Sequence, residues 1–391
     1  MSLAATKLDS VSSQQAGVPA AIGFFFAFRL CFAFVAFQSQ PVVATAVSLA
    51  LSFMFAFFAW TISSSAEASV ARPRTLRWVW AYLALVATSL LWSATGSTAA
   101  ALGYWAGLAA DCVSVYLLTR TNESAQRCYS ITNGFAVGAA LVGLIAWFAP
   151  TLPDLRIGNE DFLHPNALGY TLAIATLFAI HSARHSRFMA CIALVCGVTL
   201  LRTLSKASIA AFAASFVFYL LRNSHMSRRS KVSIGIAAGL LIAASWGLVE
   251  AYVETYGQTY HVETLTGRTY IWAVAWEEGL KSPWLGRGFY AFRYVVPVLG
   301  DFEPWQAHNE FLQQFFSYGV LGVGIVVGLY AAFVRLIRRN HSNEFATLAA
   351  SLMVFVLIRG LVDTERFDLN YPLWLLTLFI MALSPPTLEP Q

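Results

Sequence analysis

From residue 301 to residue 322 the chain reads DFEPWQAHNEFLQQFFSYGVLG, a polar cluster, Gln306-Ala307-His308-Asn309-Glu310, that runs directly into an apolar segment. A histidine in that place is either an interfacial residue satisfied by its neighbours or an imidazole that takes a proton from a hydroxyl group. Several cations close by in the chain favour the second reading, because adjacent positive charge disfavours protonation of the ring and keeps it available as a base. Asn309 and Glu310 either orient that ring, bind hydroxyls of a ligand, or cap the helix that follows.

The cations form a second set. In LLRTLSKASIAAF, residues 200–212, Arg202 and Lys206 flank a turn, and Ser205 is placed to cap the next helix. A capped helix N-terminus beside two cations is an anion site; the alternative is that both side chains snorkel to lipid headgroups. In TLTGRTYIWAVAWEEGLKSPWLGRGFYAF, residues 264–292, Arg268, Trp272, Ala275 and Gly279 recur at helical spacing and predict an amphipathic helix on a membrane surface, ended by Pro283. Gly286 and Gly288 permit a tight turn that brings Arg287 close to a ligand. Arg359 is a further cation of this set. In DFLHPNALGY, residues 161–170, Pro165 and Asn166 open a helix, and His164 either lines the same vestibule or merely begins that helix. Arg29 and Asp111 lie inside apolar runs and read equally as functional residues or as a structural pair. No paired carboxylates of the D-x-D kind occur near these cations, and Asp301 and Glu303 read as solvated, so no metal is expected.

The elements that must position these residues are membrane helices. Of the 391 residues 58% are hydrophobic and only 12% charged, and the mean hydropathy is +0.62. The fold class is all-α integral membrane. Apolar runs near 20–37, 41–60, 77–93, 97–119, 128–149, 166–182, 188–203, 206–221, 232–250, 311–334, 345–361 and 372–385 give about twelve transmembrane helices. A β-barrel does not fit, since the run from 41 to 60 is apolar on every side. With the N-terminus inside, Arg72, Arg74, Arg77, Arg120, Arg127, Arg184, Arg187 and the basic stretches 222–231 and 335–340 all fall on the cytoplasmic side. Both termini are then cytoplasmic, and the one large loop, 251–310, lies outside. The chain divides into spans one to nine over 1–250, that loop with its amphipathic helices, and spans ten to twelve over 311–391.

Other function classes recede. The basic pI of about 9.0 is accounted for by the cytoplasmic loops, so no nucleic acid partner is implied. The five cysteines lie in or beside apolar runs, which suggests neither disulfides nor a thiolate metal site. The first twenty residues read as a cytoplasmic tail rather than a signal peptide. Neither H-E-x-x-H nor G-x-S-x-G occurs, and no second half mirrors the first as in many transporters. A transporter or flippase of lipid-linked oligosaccharide is kept as the alternative of another class, because it also accounts for Arg29, Asp111 and the outer cations.

Taken in order, Ser205-Lys206, Gly267-Arg268 with Trp272, Pro283 with Gly286 and Gly288, Ala307-His308-Asn309 and then Gly319 and Gly322 resemble the O-antigen ligase and Wzy-type polysaccharide polymerase superfamily. The His164-Pro165-Asn166-Ala167-Leu168-Gly169 run is similar to a further motif of that family. The resemblance implies an inverting, metal-independent glycosyltransferase without cofactor in the bacterial inner membrane, its site periplasmic and its donor an undecaprenyl-diphosphate-linked glycan. It implies that Arg202, Lys206 and Arg268 hold the diphosphate and that His308 is the base; Asn309, Arg287, Arg359 and His164 are secondary candidates for substrate contact. Lys206 stands where ligases usually carry arginine, so the bidentate grip on phosphate is lost. That lysine favours a repeat-unit polymerase, with a ligase joining glycan to lipid A-core as the alternative.

Overall fold

The computed structural model describes residues 17–30, 41–64, 73–121, 123–149, 155–158, 163–223, 226–244, 265–298 and 303–384. The ends of the first and ninth expected spans, the loop stretch 251–264 and Asp301 lie outside the described residues. Within them the secondary structure is helical, and no strand occurs. The helices are α1 (Gly17–Leu30), α2 (Pro41–Ser64), α3 (Leu76–Ser89), α4 (Thr98–Thr119), α5 (Ser124–Phe148), α6 (Pro165–Ser182) and α7 (Arg187–Arg202). They continue with α8 (Lys206–Arg222), α9 (Arg228–Ala244), α10 (Leu265–Leu280), the single turn α11 (Phe292–Val295), α12 (Glu310–Arg339), α13 (Ala346–Gly360) and α14 (Leu373–Leu383).

Each of the twelve expected segments coincides with one of these helices, because a run of apolar residues without internal proline leaves the backbone no better partner than itself in lipid. Among the described residues, Thr45–Ser64, Thr98–Thr119, Ser124–Phe148 and Glu310–Arg339 are long and apolar enough to cross a membrane alone. The protein is therefore an all-α, multi-pass membrane protein.

The chain forms two compact units. The first comprises residues 1–70 and 117–258, the second residues 71–116 and 259–391. In the first, α6 is buried along nearly its whole length and packs on α5, α7 and α8. In the second, α12 is the central element, packed on α3, α10, α13 and α14.

Helix α12 is broken once, at Gly319, whose φ of 62° and ψ of −157° leave the helical region. The break frees amide and carbonyl groups that need partners, and the segment after α10 supplies them. Val320 N donates to Pro283 O (2.8 Å), while Arg287 N and Gly288 N donate to Phe316 O and Ser317 O (both 2.8 Å). The two backbones touch: a side chain at Gly319 would put its Cβ 2.4 Å from Pro283 O, and one at Gly286 would lie 2.4 Å from the Ser317 carbonyl carbon. The glycines thus lock the segment after α10 onto a kinked helix, and this lock aims the first turns of α12.

Candidate functional site

Ala307-His308-Asn309, just ahead of α12, is built from three different demands. Ala307 is fully buried against Ile271, Phe292 and Phe316, where a larger side chain has no room. Its carbonyl accepts from the Trp272 indole (2.8 Å) and its amide donates to Gln313 Oε1 (2.7 Å). Asn309 caps α12, its Oδ1 accepting from Leu312 N (3.0 Å), and its amide donates to Leu361 O (3.0 Å). Of the roles open to Asn309, the cap is the one the structure displays. Between them His308 has φ of 50°, the left-handed region that non-glycine residues seldom occupy. A strained backbone of this kind persists where its surroundings over-determine it, and such places cluster at functional sites.

What the strain achieves is the aim of the ring. His308 Nδ1 lies 3.1 Å from Asp363 Oδ1, and the side chain remains 17% exposed. The same carboxylate accepts from Gln306 Nε2 (3.3 Å) and Thr364 N (3.0 Å) through Oδ1 and from Arg359 Nη2 (3.0 Å) through Oδ2. Burial pushes the Asp363 carboxyl upward, but the Arg359 guanidinium and the hydrogen bond from His308 outweigh it and hold the group well below the usual carboxylate range. An ionised Asp363 can only accept, so Nδ1 donates to it, and in the neutral ring the lone pair is then on Nε2. The sequence surrounds this imidazole with cations; the structure puts a carboxylate directly against it, as in triads where an aspartate orients a histidine base.

Arg359, expected as a substrate cation, is buried inside this network. Besides Asp363 it donates to Asn370 Oδ1 (2.5 Å) and pairs with Glu365 Oε1 (2.9 Å), and its side chain is 2% exposed. Arg268 reaches the same loop from α10, donating to Val362 O (2.6 Å), and its charge helps hold Asp363 ionised. Arg268, His308, Asn309 and Arg359 are therefore gathered on the loop between α13 and α14. Arg287 is not part of that group. Its guanidinium pairs with Glu278 Oε2 (2.6 Å), and the glycine turn expected to offer it to a ligand instead grips α12.

The first unit carries the other expected residues around one turn. Arg202 ends α7 and its Nη1 donates to Leu155 O; Lys206 opens α8 and is exposed. Ser205 stands at the N-cap position without capping: its Oγ bonds Asn166 Oδ1 and Ser208 Oγ, both at 3.1 Å. That corrects the expected cap, and the cause is Asn166, a nearer partner contributed by α6. His164 caps α6, its Nδ1 accepting from Asn166 N (3.2 Å). Gly169 completes the arrangement, since a side chain there would meet Ser205 Cβ at 2.8 Å. The run from His164 to Gly169 is thus a cradle for the turn that holds Arg202 and Lys206.

Sequence reasoning missed Asp363, Gln306 and Glu365. The one available signal was the Arg359–Asp363 spacing of four, which pairs the two charges at the end of a helix. Among the described residues no group of three or more His, Cys, Asp or Glu is placed to hold a metal ion.

Apolar helices along the chain and, in the second unit, a histidine paired with a buried carboxylate define the class as a multi-pass membrane protein. Comparison with known proteins narrows this. Residues 189–327 match the family model described as O-Antigen ligase, a stretch that includes Arg202, Lys206, Arg268, Arg287, His308 and Asn309 but neither Arg359 nor Asp363. The chain is 26% identical over 175 residues to the O-antigen ligase of Pseudomonas aeruginosa, which covers 44% of this chain and 40% of that protein. Both comparisons support the resemblance to the O-antigen ligase and Wzy-type polymerase superfamily.

Proposed function

We propose that this chain is a glycosyltransferase of the bacterial inner membrane, with about twelve spans, both termini cytoplasmic and its site on the periplasmic face. Its donor is a glycan linked to undecaprenyl diphosphate. The oxygen of an acceptor sugar hydroxyl attacks the anomeric carbon, whose bond to the diphosphate breaks with inversion, and the hydroxyl proton passes to His308 Nε2. Undecaprenyl diphosphate leaves.

The observation that carries this reading is the pairing of His308 with an ionised Asp363, which sets the tautomer a base requires and stabilises the imidazolium that forms. Arg268 is assigned to the diphosphate, where a preorganised cation offsets charge that grows as the bond breaks, without a divalent metal. Resemblance assigns the same group to Arg202 and Lys206. Arg359 acts through Asp363 and Glu365 rather than on substrate, and Asn309 and His164 hold backbone in place.

Two acceptors remain in play, each with an observation behind it. Both comparisons carry the name O-antigen ligase, which favours a lipid acceptor. Lysine rather than arginine at 206 favours a growing repeat-unit chain. The purified full chain, supplied with lipid-linked oligosaccharide with and without lipid A-core, separates them. A ladder without lipid A-core marks a polymerase, one shifted glycolipid marks a ligase, and no transfer under either condition overturns the reading.

A further inference from the structure

In the second unit a cleft open to solvent lies beside the turn at Tyr290. We propose that it is a subsite for a pyranose ring of the acceptor glycan. This rests on the reading of glycan transfer above, but its binding test is separate from turnover.

One wall is an aromatic platform. The rings of Tyr290 and Phe367 line the cleft and stack at 5.3 Å between centroids and 27° between planes. Tyr104 backs both, 5.4 Å from Tyr290 and 4.1 Å from Phe367. Tyr290 has φ of 65°, so a bulky residue is held in the left-handed region to keep its ring in this stack. Pyranose rings present C–H faces to such platforms while their hydroxyls point sideways, and the side walls of this cleft are polar.

Those walls are fixed donors and acceptors. Trp305 carries the Arg293 guanidinium at 3.9 Å and that of Arg366 at 4.7 Å from its ring centroid. Arg293 is tied to Glu303 (3.0 Å), whereas Arg366 makes no ion pair among the described residues and is exposed. Opposite, Gln314 Oε1 accepts from Tyr82 Oη (3.0 Å), and Gln313 Nε2 donates to Ser317 Oγ (3.1 Å). Planar cations and held amides suit hydroxyl groups. They are poor partners for an isoprenoid tail, which has nothing to offer them.

The cleft is joined to the base through shared partners. Glu365 lines the cleft and pairs with Arg359, which holds the same Asp363 that receives His308 Nδ1. Gln313, on the other wall, accepts from the amide of Ala307, one residue before His308. The hydroxyl that gives its proton to His308 belongs to the acceptor, and we assign the sugar in this cleft to the acceptor on these shared partners.

The probe is a set of fluorescently tagged oligosaccharides, one to four sugars long, released by mild acid from the surface glycan of the cells that make this protein. Fluorescence polarisation on the purified full-length chain reads binding, with thermal unfolding as the check on folding. Saturable binding to wild type should weaken about tenfold or more in Phe367→Leu, which keeps bulk but loses the ring face, and in Arg366→Ala among the polar residues of the cleft. In transfer assays the same variants should raise the KM for acceptor and leave that for donor unchanged. Wild-type binding that neither folded variant changes by more than twofold overturns the proposal, as does the absence of saturable binding. His308→Ala must retain oligosaccharide binding, so failure of the catalytic reading and failure of the cleft remain distinguishable.

Discussion

Replacing Asp363 by asparagine tests the base most sharply, because the carboxylate's two oxygens serve opposed partners. Oδ1 faces His308 Nδ1 at 3.1 Å and Oδ2 faces Arg359 Nη2 at 3.0 Å. An asparagine must turn its NH₂ toward one of them. Turned to Arg359, it sets donor against donor; turned to His308, it forces Nδ1 to accept and moves the ring proton to Nε2, the atom that should be empty. Hydrogen bonding to a charged group contributes about 1.5–3 kcal/mol, and the carboxylate's attraction for a transient imidazolium is lost as well. Base catalysis contributes about 10²–10⁴-fold in general, so Asp363→Asn should lower kcat by about 10²–10³-fold with little change in donor KM. The fold should survive, since Arg359 keeps Glu365 at 2.9 Å and is not left as an uncompensated buried charge. Single-turnover transfer from lipid-linked oligosaccharide, read on gels beside a thermal unfolding curve, gives both quantities. Folded Asp363→Asn enzyme with kcat within threefold of wild type would refute the orienting role.

The other expectations need less argument. His308→Gln should lower turnover by about 10²–10⁴-fold while leaving donor binding nearly intact, since it keeps a hydrogen-bonding side chain and loses proton acceptance; wild-type turnover would leave His308 an interfacial residue. Arg268→Ala should weaken donor binding and turnover together, as a contact made in both ground and transition states does, and unchanged donor affinity would return Arg268 to a purely structural bond with Val362. Transfer should persist in EDTA, and loss of activity restored by magnesium or manganese would show that a metal neutralises the leaving group. Cysteine at Glu277, an exposed position on α10, introduced into a background without native cysteines, should react with an impermeant maleimide in intact spheroplasts; labelling only after lysis would invert the topology. Gly319→Ala should destabilise the protein by more than about 2 kcal/mol, combining left-handed strain with overpacking, and a thermal midpoint equal to wild type would show that the locked kink is dispensable.

Helix positions were legible because lipid leaves an apolar segment a single way to satisfy its backbone, so the count of apolar residues between breakers carries the information. The kink in α12 was not. Gly319 lies among Gly322, Gly324 and Gly328 in one apolar run, and nothing local marks which of the four departs from helical geometry. The choice is made by the segment after α10, whose Pro283 carbonyl and Gly288 amide reach α12 only once the chain has folded. The same distance hid Asp363. It stands in DTERFDLN, a stretch with four charges in eight residues that matches no motif, and its partner His308 lies 55 residues earlier.

This separation also explains why the cations were easier to find than to assign. A charge that breaks the orientation bias of a membrane protein is visible in any sequence, but such a charge is retained either because it binds substrate or because it holds something that does. Burial and partners decide. Arg359 is buried between two carboxylates and Arg287 is matched by Glu278, whereas Lys206 is exposed at the start of α8. A phosphate arriving from the membrane would have to displace a carboxylate to reach either of the first two, and at Arg359 that would strand a carboxylate in a buried site. Burial together with an acid of the protein's own thus marks Arg359 as a residue that folds the site rather than one offered to a ligand.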